Sequence, residues 1–373
     1  TTLIIGSYNG SREYNKVGKV IWNALWLILF FIILLYILFS SELYLFFIAD
    51  NCRRFGLVYV DIIINYAWIV YINTVFSGFL FAIGKSHIVS YSIWLGTFLN
   101  IILNYLLIFI YDYGVFGGAY ATVIAGLIQL LILVIYSFKE WKKYHLLNIS
   151  FNLDTIYDII YRGSSSALGH GVELLAISFI YTLLSSYGVN NPYLQVGFLI
   201  NILALVLFNI NTGFEKAIGA LSSNYIGNKD YRSVVDAMIN MTKLYTMMSM
   251  TMGILVICFL DHILYFLNFQ DLHLDPLLYN SLFYAAIFTI AMAFFDGLAW
   301  MTIGVLHSMR DIMFSLIANA ALIVLLYVIP TYLFYLYIEH PPYYFVVRFF
   351  LFYTIAHFIA LFYRFYRIIY SHL

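Results

Sequence analysis

Charge is what this sequence lacks most. Only 10% of its 373 residues are charged, while 64% are hydrophobic and the mean hydropathy is +0.92. Soluble domains carry about 25% charged residues. A chain this poor in charge cannot cover a water-soluble globule of its size, which excludes a cytosolic enzyme, a nucleic-acid binder and a disordered protein. The net charge is zero, so no global field draws in nucleic acid. Two cysteines, Cys52 and Cys258, lie far apart, which excludes a disulfide framework and a cysteine metal cluster. Five prolines suit long unbroken helices. No charged leader followed by a cleavage site is visible.

What is abundant is apolar sequence in bilayer-length runs. A span needs about 20 apolar residues. Such runs fall at 20–39, 57–83, 88–111, 115–137, 163–187, 193–218, 236–260, 279–306, 312–337 and 343–370. They are too long and continuous for barrel strands. The reading is an all-α integral membrane protein with ten transmembrane helices. Tyr and Phe, 35 and 34 residues, suit membrane interfaces and helix packing.

Basic residues orient the spans. The side holding Thr1 carries Arg12, Lys16, Lys19, Lys85, Lys139, Lys142, Lys143, Arg162, Lys229, Arg232, Arg310, Arg364 and Arg367, against Arg53, Arg54 and Arg348 opposite. This bias predicts a multi-pass protein of the cell (inner or plasma) membrane with both ends of this chain cytoplasmic. The opposite loops hold Asp112, Asp261, Asp271, Asp275 and Glu339, in agreement.

The hydrophilic stretch 139–162 divides the chain into an N-terminal lobe, 1–138, with four helices, and a C-terminal lobe, 163–373, with six. Three weak matches recur in order across it. Ile5-Gly6 followed by Arg12-Glu13-Tyr14 pairs with Ile226-Gly227 followed by Lys229-Asp230-Tyr231. Phe46–Asp50 pairs with Leu267–Asp271, and Ala82–Ser86 with Ser308–Asp311. The second half has two helices ahead of Gly227 with no counterpart in the first. The implied plan is therefore twelve helices in two six-helix lobes, of which this chain carries ten.

Two acids sit near the middle of their spans, Glu173 and Asp296. A carboxylate there costs at least about 2.5–3.5 kcal/mol on insertion scales, so it is rare and usually functional. Each heads a polar stripe at helical spacing: Ser166, His170, Glu173 and Tyr181 on one helix, and Thr289, Asp296, Trp300 and His307 on the other. Asn201, Asn209, Thr212 and Lys216 add a third. Three stripes can enclose a polar cavity inside the C-terminal lobe. Glu173 and Asp296 are the candidate site for a cation or proton, with His170, Tyr181, Asn201, Asn209, Thr289 and Trp300 as supporting cavity residues. The competing reading makes each acid a buried hydrogen-bond partner between helices. Glu215-Lys216 reads as a local pair. Asn65 and Asn73 share a face, as do Asn100 and Asn104, in the manner of packing residues. Asp271-x-His273-x-Asp275 has metal-like spacing but sits in a loop without a fourth ligand, so it reads as a solvated loop. No metal or cofactor is expected.

Gly84-Lys85 through Asn100-Ile-Ile-Leu-Asn104, followed by Gly114-Val-Phe-Gly-Gly-Ala-Tyr-Ala-Thr122, resembles the fifth and sixth helices of the multidrug and toxic compound extrusion (MATE) family. Gly171-Val-Glu173 resembles the seventh, Asn201 to Asp230 the eighth and its following loop, and Phe295-Asp296-Gly297 through His307-Ser-Met-Arg310-Asp311 the tenth. The resemblance covers nearly the whole chain. It implies a two-lobe helical transporter that exports organic, cationic or amphipathic compounds by antiport with Na⁺ or H⁺ through alternating access. Glu173 and Asp296 then match the second-lobe cation site of the NorM-like branch. Met292 and His307 depart from the family's tenth-helix pattern. Trp68 and Asn73 are candidates for substrate contact, Trp68 by cation–π attraction. Small organic molecules and the bilayer are the implied partners, with no nucleic acid, and the protein reads as a monomer. A flippase of lipid-linked oligosaccharide or peptidoglycan precursor with a related fold is the alternative, for which basic cavity residues would be expected. No histidine pairs with another at i+4 and no nucleophile–base pair is visible, so an enzyme is not expected.

Overall fold

The computed structural model describes residues 1–40, 53–185, 192–266, 275–338 and 343–372. No strand occurs among them. Among the described residues nine helices are long and apolar enough to cross a membrane, or ten when one bent pair is counted as a single span. The chain divides into two units, Thr1–Ile160 and Tyr161–Leu373.

The first unit contains α1 (Thr2–Gly10), α2 (Tyr14–Ser40), α3 (Arg53–Asn65), α4 (Ala67–Ala82), α5 (Ser86–Asn104), α6 (Gly114–Phe138) and the short α7 (Trp141–Tyr144). The short α1 lies outside the runs that hydropathy picks out. Helices α3 and α4 form one span bent by 45°. Near the bend, the Asn65 amide donates to the Asp61 carbonyl at 2.9 Å, a side chain inserted into the helical ladder. The core lies around α4, where Phe79 and Leu80 are buried against Ile5, Val17, Val89 and Leu133.

The second unit is built from α8 (Leu153–Ser185, whose start up to Ile160 falls in the first unit), α9 (Pro192–Gly227), α10 (Tyr231–Cys258), α11 (Leu260–Phe266), α12 (Pro276–Ser308), α13 (Ile312–Ile323), α14 (Ile329–Tyr337) and α15 (Tyr344–Tyr370). Helix α8 starts at Leu153, ten residues before the apolar run. Its first turns are polar, with Asp154 near the start, and leave the apolar stretch while still helical. Helix α12 is the pillar of this unit. It packs against both α9 and α15, and its C-terminal half is buried on every face. Gly304 allows the α9 contact, since a Cβ there would stand 2.7 Å from the Glu215 carbonyl. Acids cap two helix starts. Asp275 accepts from the Leu277 amide, and Asp230 accepts from Ser233 through both hydroxyl and backbone N–H. Those two bonds hold the Asp230 carboxyl below the usual aspartate range.

The internal repeat is visible in turn anatomy, and the turns correct its register. The α1–α2 turn runs from Gly10 to Tyr14 and the α9–α10 turn from Gly227 to Tyr231, so Gly10, not Gly6, corresponds to Gly227. Arg12 (φ 62°) and Lys229 (φ 59°) both take the left-handed conformation there. The α4–α5 and α12–α13 turns correspond likewise, with Gly84 (φ 78°) and Arg310 (φ 66°) at the left-handed position. The residue after each of these forms an ion pair with the sign exchanged: Lys85 with Glu140, and Asp311 with Arg364. The spans after these turns each carry a π-helical segment, Tyr105–Ile110 and Val324–Val328. The match between Phe46–Asp50 and Leu267–Asp271 lies outside the described residues, as do Asp271 and His273 of the loop with metal-like spacing.

Candidate functional site

Both mid-span acids are inside the second unit, each 6% exposed. Glu173 projects from α8. Its Oε1 accepts the Tyr353 hydroxyl from α15 at 2.8 Å and the Asn319 amide from α13 at 3.4 Å. Tyr353 also lies 3.2 Å from Asn319 Oδ1 and 3.3 Å from His357 Nδ1. Asp296 projects from α12, where Oδ2 accepts the Asn211 amide of α9 at 2.9 Å. That amide also donates to the Ala293 carbonyl at 3.1 Å. The single Tyr245 hydroxyl hydrogen of α10 has two acceptors in reach, Asn211 Oδ1 at 3.0 Å and the Ala293 carbonyl at 2.8 Å.

Gly297 makes the Asp296 cluster possible. A Cβ at this position would meet the Tyr245 hydroxyl at 2.1 Å and Asn211 Oδ1 at 2.7 Å. The two clusters are electrostatically linked. Glu173, Asp296 and, on α9, Glu215 lie within coulombic reach of one another. Acids within such reach repel when ionised, so protonation or a bound cation relieves the repulsion.

The acid set lies between two cavities. One, of about 70 Å³, lies a turn beyond Glu173 toward the C-terminal end of α8 and is lined by Ile177, Tyr181, Asn201, Thr289, Tyr327 and Tyr343 among others. Tyr327 sits on the π-helical segment, a distortion that recurs at functional sites. The other, of about 10 Å³, has room for about one water and lies a turn before Glu173, between Ser166, Gly169, Trp300, His307, Ser315 and Asn319. His307 Nε2 meets Ser315 Oγ there at 2.9 Å.

The residues singled out in the sequence fall in different places. Tyr181, Asn201 and Thr289 line the larger cavity; the Tyr181 hydroxyl donates to the Gly197 carbonyl at 2.9 Å. His170 stacks on Trp300 with ring centroids 4.1 Å apart, and Trp300 is buried. Asn209 is exposed, and its amide donates to the Leu205 carbonyl of its own helix. Asn211, two residues on, takes the place beside Asp296. Trp68 and Asn73 belong to the first unit. Asn73 is buried and donates to the Gly126 carbonyl of α6 at 3.2 Å, and Trp68 packs on that unit's core. Asn65 serves the α3–α4 bend, and Asn100 accepts from Asn104 within one helix at 3.0 Å.

Sequence reasoning missed Asn211, Tyr245, Asn319, Tyr353 and His357. A faint signal existed. Ser315 with Asn319, and Tyr353 with His357, are i,i+4 polar pairs in otherwise apolar spans.

The model of the MatE family matches residues 1–106. The whole chain superposes on a mutant MATE with TM-score 0.87 at 18% identity, covering 100% of this chain and 83% of that one. An outward-facing multidrug resistance MATE family transporter of the MOP superfamily gives 0.85 at 19% identity, with 100% and 83% covered. The fold is that of the MATE transporters. A MOP superfamily transporter from Pyrococcus furiosus Vc1 (DSM3638) shares it too, with TM-score 0.84, 19% identity and the same coverage; the reverse polarity of that protein's binding pocket is described as suggesting a different function. No curated protein sequence matches the chain. Within that shared fold, α8 and α12 carry the two mid-span acids, both in the second unit.

Proposed function

We propose that this chain is a MATE-family secondary transporter, rather than an enzyme. It exports organic, cationic or amphipathic compounds in exchange for Na⁺ or H⁺ by alternating access. Glu173 and Asp296 bind the coupling ion. The observation that carries this reading is the pair of buried carboxylates with neutral hydrogen-bond partners: Tyr353 and Asn319 for one, Asn211 for the other. Buried acids that served packing alone would be expected to pair with basic side chains. An acidic site also suits a cation better than the pyrophosphate of a lipid-linked precursor. The ion drives the cycle only if it binds the two access states differently. The charge bias of the loops supports a plasma-membrane protein with both ends of this chain cytoplasmic, and the reading takes it to act as a monomer.

The test is efflux of ethidium, a fluorescent cation, from drug-sensitive cells expressing the full reading frame, with Asp296→Asn beside wild type at equal membrane level. Efflux lost in the variant supports the reading. Wild-type cells that retain ethidium like the empty-vector control would sink the export of cationic dyes. Changing Na⁺ and pH in the same cells then names the ion.

A further inference from the structure

The Glu173 cluster holds more hydrogen-bonding capacity than anchoring one carboxylate requires. The single phenolic hydrogen of Tyr353 has three acceptors in reach: Glu173 Oε1 at 2.8 Å, Asn319 Oδ1 at 3.2 Å and His357 Nδ1 at 3.3 Å. Tyr353 and His357 are one turn apart on α15, both 0% exposed, with their rings stacked at 5.4 Å. His357 Nε2 has no hydrogen-bond partner, although it is fully buried. An unmet buried donor or acceptor costs stability, so an imidazole held this way for packing alone would be replaced by an apolar side chain at no loss. Instead its Nδ1 is aimed at a hydroxyl that touches the candidate ion-binding acid.

We infer that Glu173, Tyr353 and His357 form a proton relay, with His357 exchanging the proton that Glu173 carries. A protonated Glu173 donates its hydrogen to the Tyr353 oxygen while the Tyr353 hydrogen passes to His357 Nδ1. One O–H bond breaks and one forms at Tyr353, one O–H bond breaks at Glu173, and one N–H bond forms at His357. The phenol is unchanged, the carboxylate and imidazolium are left as a pair, and no electron is transferred. The imidazolium then holds the proton, and its release needs an acceptor that reaches Nε2, the end without a protein partner, in the cytoplasm-facing state of the cycle. His357 lies one turn from Tyr353 toward the C-terminus of α15, the side that the charge bias assigns to the cytoplasm. The relay rests on the export reading for the direction of proton travel, and it makes H⁺ the coupling ion.

Titratable and charged groups from every neighbouring helix bear on this relay. Helix α8 supplies Glu173 and His170, α9 supplies Glu215 and the cation Lys216, and α12 supplies Asp296 and His307. Helix α13 contributes neutral Asn319 and Ser315 and is preceded by Asp311. On α15, Arg364 is held by that Asp311 at 2.5 Å.

The test uses the purified full-length protein carrying this chain and follows the carboxylic-acid infrared band after a rapid pH step, in wild type, Glu173→Gln, Tyr353→Phe and His357→Gln. The expected result is a band that Glu173→Gln removes and whose rise slows about 100-fold or more in both Tyr353→Phe and His357→Gln, the scale of a lost proton-transfer group. A rise unchanged within about twofold in the two relay variants overturns the proposal, as does a band that added Na⁺ suppresses in wild type. His357→Gln keeps a buried polar side chain, and Glu173→Gln shows that the band is the right one. In proteoliposomes the same proteins are given ethidium. His357→Gln should lose net proton-driven efflux yet retain ethidium–ethidium exchange, whereas a merely structural role would lower both together. Wild type that passes the infrared test but moves no ethidium overturns the export reading and leaves the relay standing. Normal transport with unchanged proton kinetics overturns the relay alone.

Discussion

Tyr353 donates its phenolic hydrogen to Glu173 Oε1 at 2.8 Å, across 180 residues of sequence. The bond joins the first and last long helices of the second unit, so the charge state of one acid bears on how α8 and α15 are held. A hydrogen bond to a carboxylate strengthens as its surroundings become drier.

Glu173→Gln keeps an acceptor for Tyr353 and removes the charge. We expect the variant to be as stable as wild type or more stable in detergent, since an ion buried without a countercharge costs several kcal/mol. Thermal unfolding followed by tryptophan fluorescence reads this, and ethidium efflux in the same variant should be lost. A fall in unfolding temperature would show that the carboxylate itself holds the helices together.

Gly297→Ala pushes a methyl group into the space filled by the Tyr245 hydroxyl and Asn211 Oδ1, at 2.1 and 2.7 Å. Overpacking of this kind costs roughly 1–3 kcal/mol, and here it also dislodges the amide that holds Asp296. The expected outcome is a lower unfolding temperature together with loss of efflux. Gly213→Ala, at a site where a Cβ meets nothing within 4 Å, is the control that should leave stability unchanged.

Tyr245→Phe removes one hydroxyl and leaves Asn211 Oδ1 without its donor. Hydrogen bonds between membrane helices are worth about 0.6 kcal/mol on average, so the stability change should be small. The larger effect should be on transport, because Asn211 is then free to turn its oxygen toward Asp296. A dye-efflux rate equal to wild type would separate Tyr245 from the proposed ion site.

Asp311 and Arg364 form an ion pair at the α12–α13 turn, with Arg364 43% exposed. An exposed pair contributes about 0.2–1 kcal/mol. Asp311→Lys with Arg364→Glu reproduces the polarity that Lys85 and Glu140 show in the first unit. The double variant should recover most of the stability lost by either single change, as read in a double-mutant cycle at low and high salt.

Composition and periodicity alone determined that this is a membrane protein of long helices, because an apolar run of bilayer length has few other uses and its ends are marked by charge. The same physics exposed Glu173 and Asp296, whose mid-span positions make them conspicuous. The repeat was legible as a pattern, but its register was not. Gly6 and Gly10 look equally suitable in sequence, and only the turn geometry at Arg12 and Lys229 selects Gly10.

Tertiary structure decided who surrounds the acids. Asn209 and Asn211 are two residues apart, about 200° around a helix, so the choice of which faces Asp296 depends on the rotation of α9 against α12. Tyr353 and His357 sit among so many aromatic residues that composition could not mark them out. They become significant because three helices bring Glu173, Asn319 and Tyr353 within hydrogen-bond distance. Local sequence states a helix's apolar length and its polar exceptions; the pairing of those exceptions is a long-range choice, made when packed helices leave a buried polar group only one partner to find.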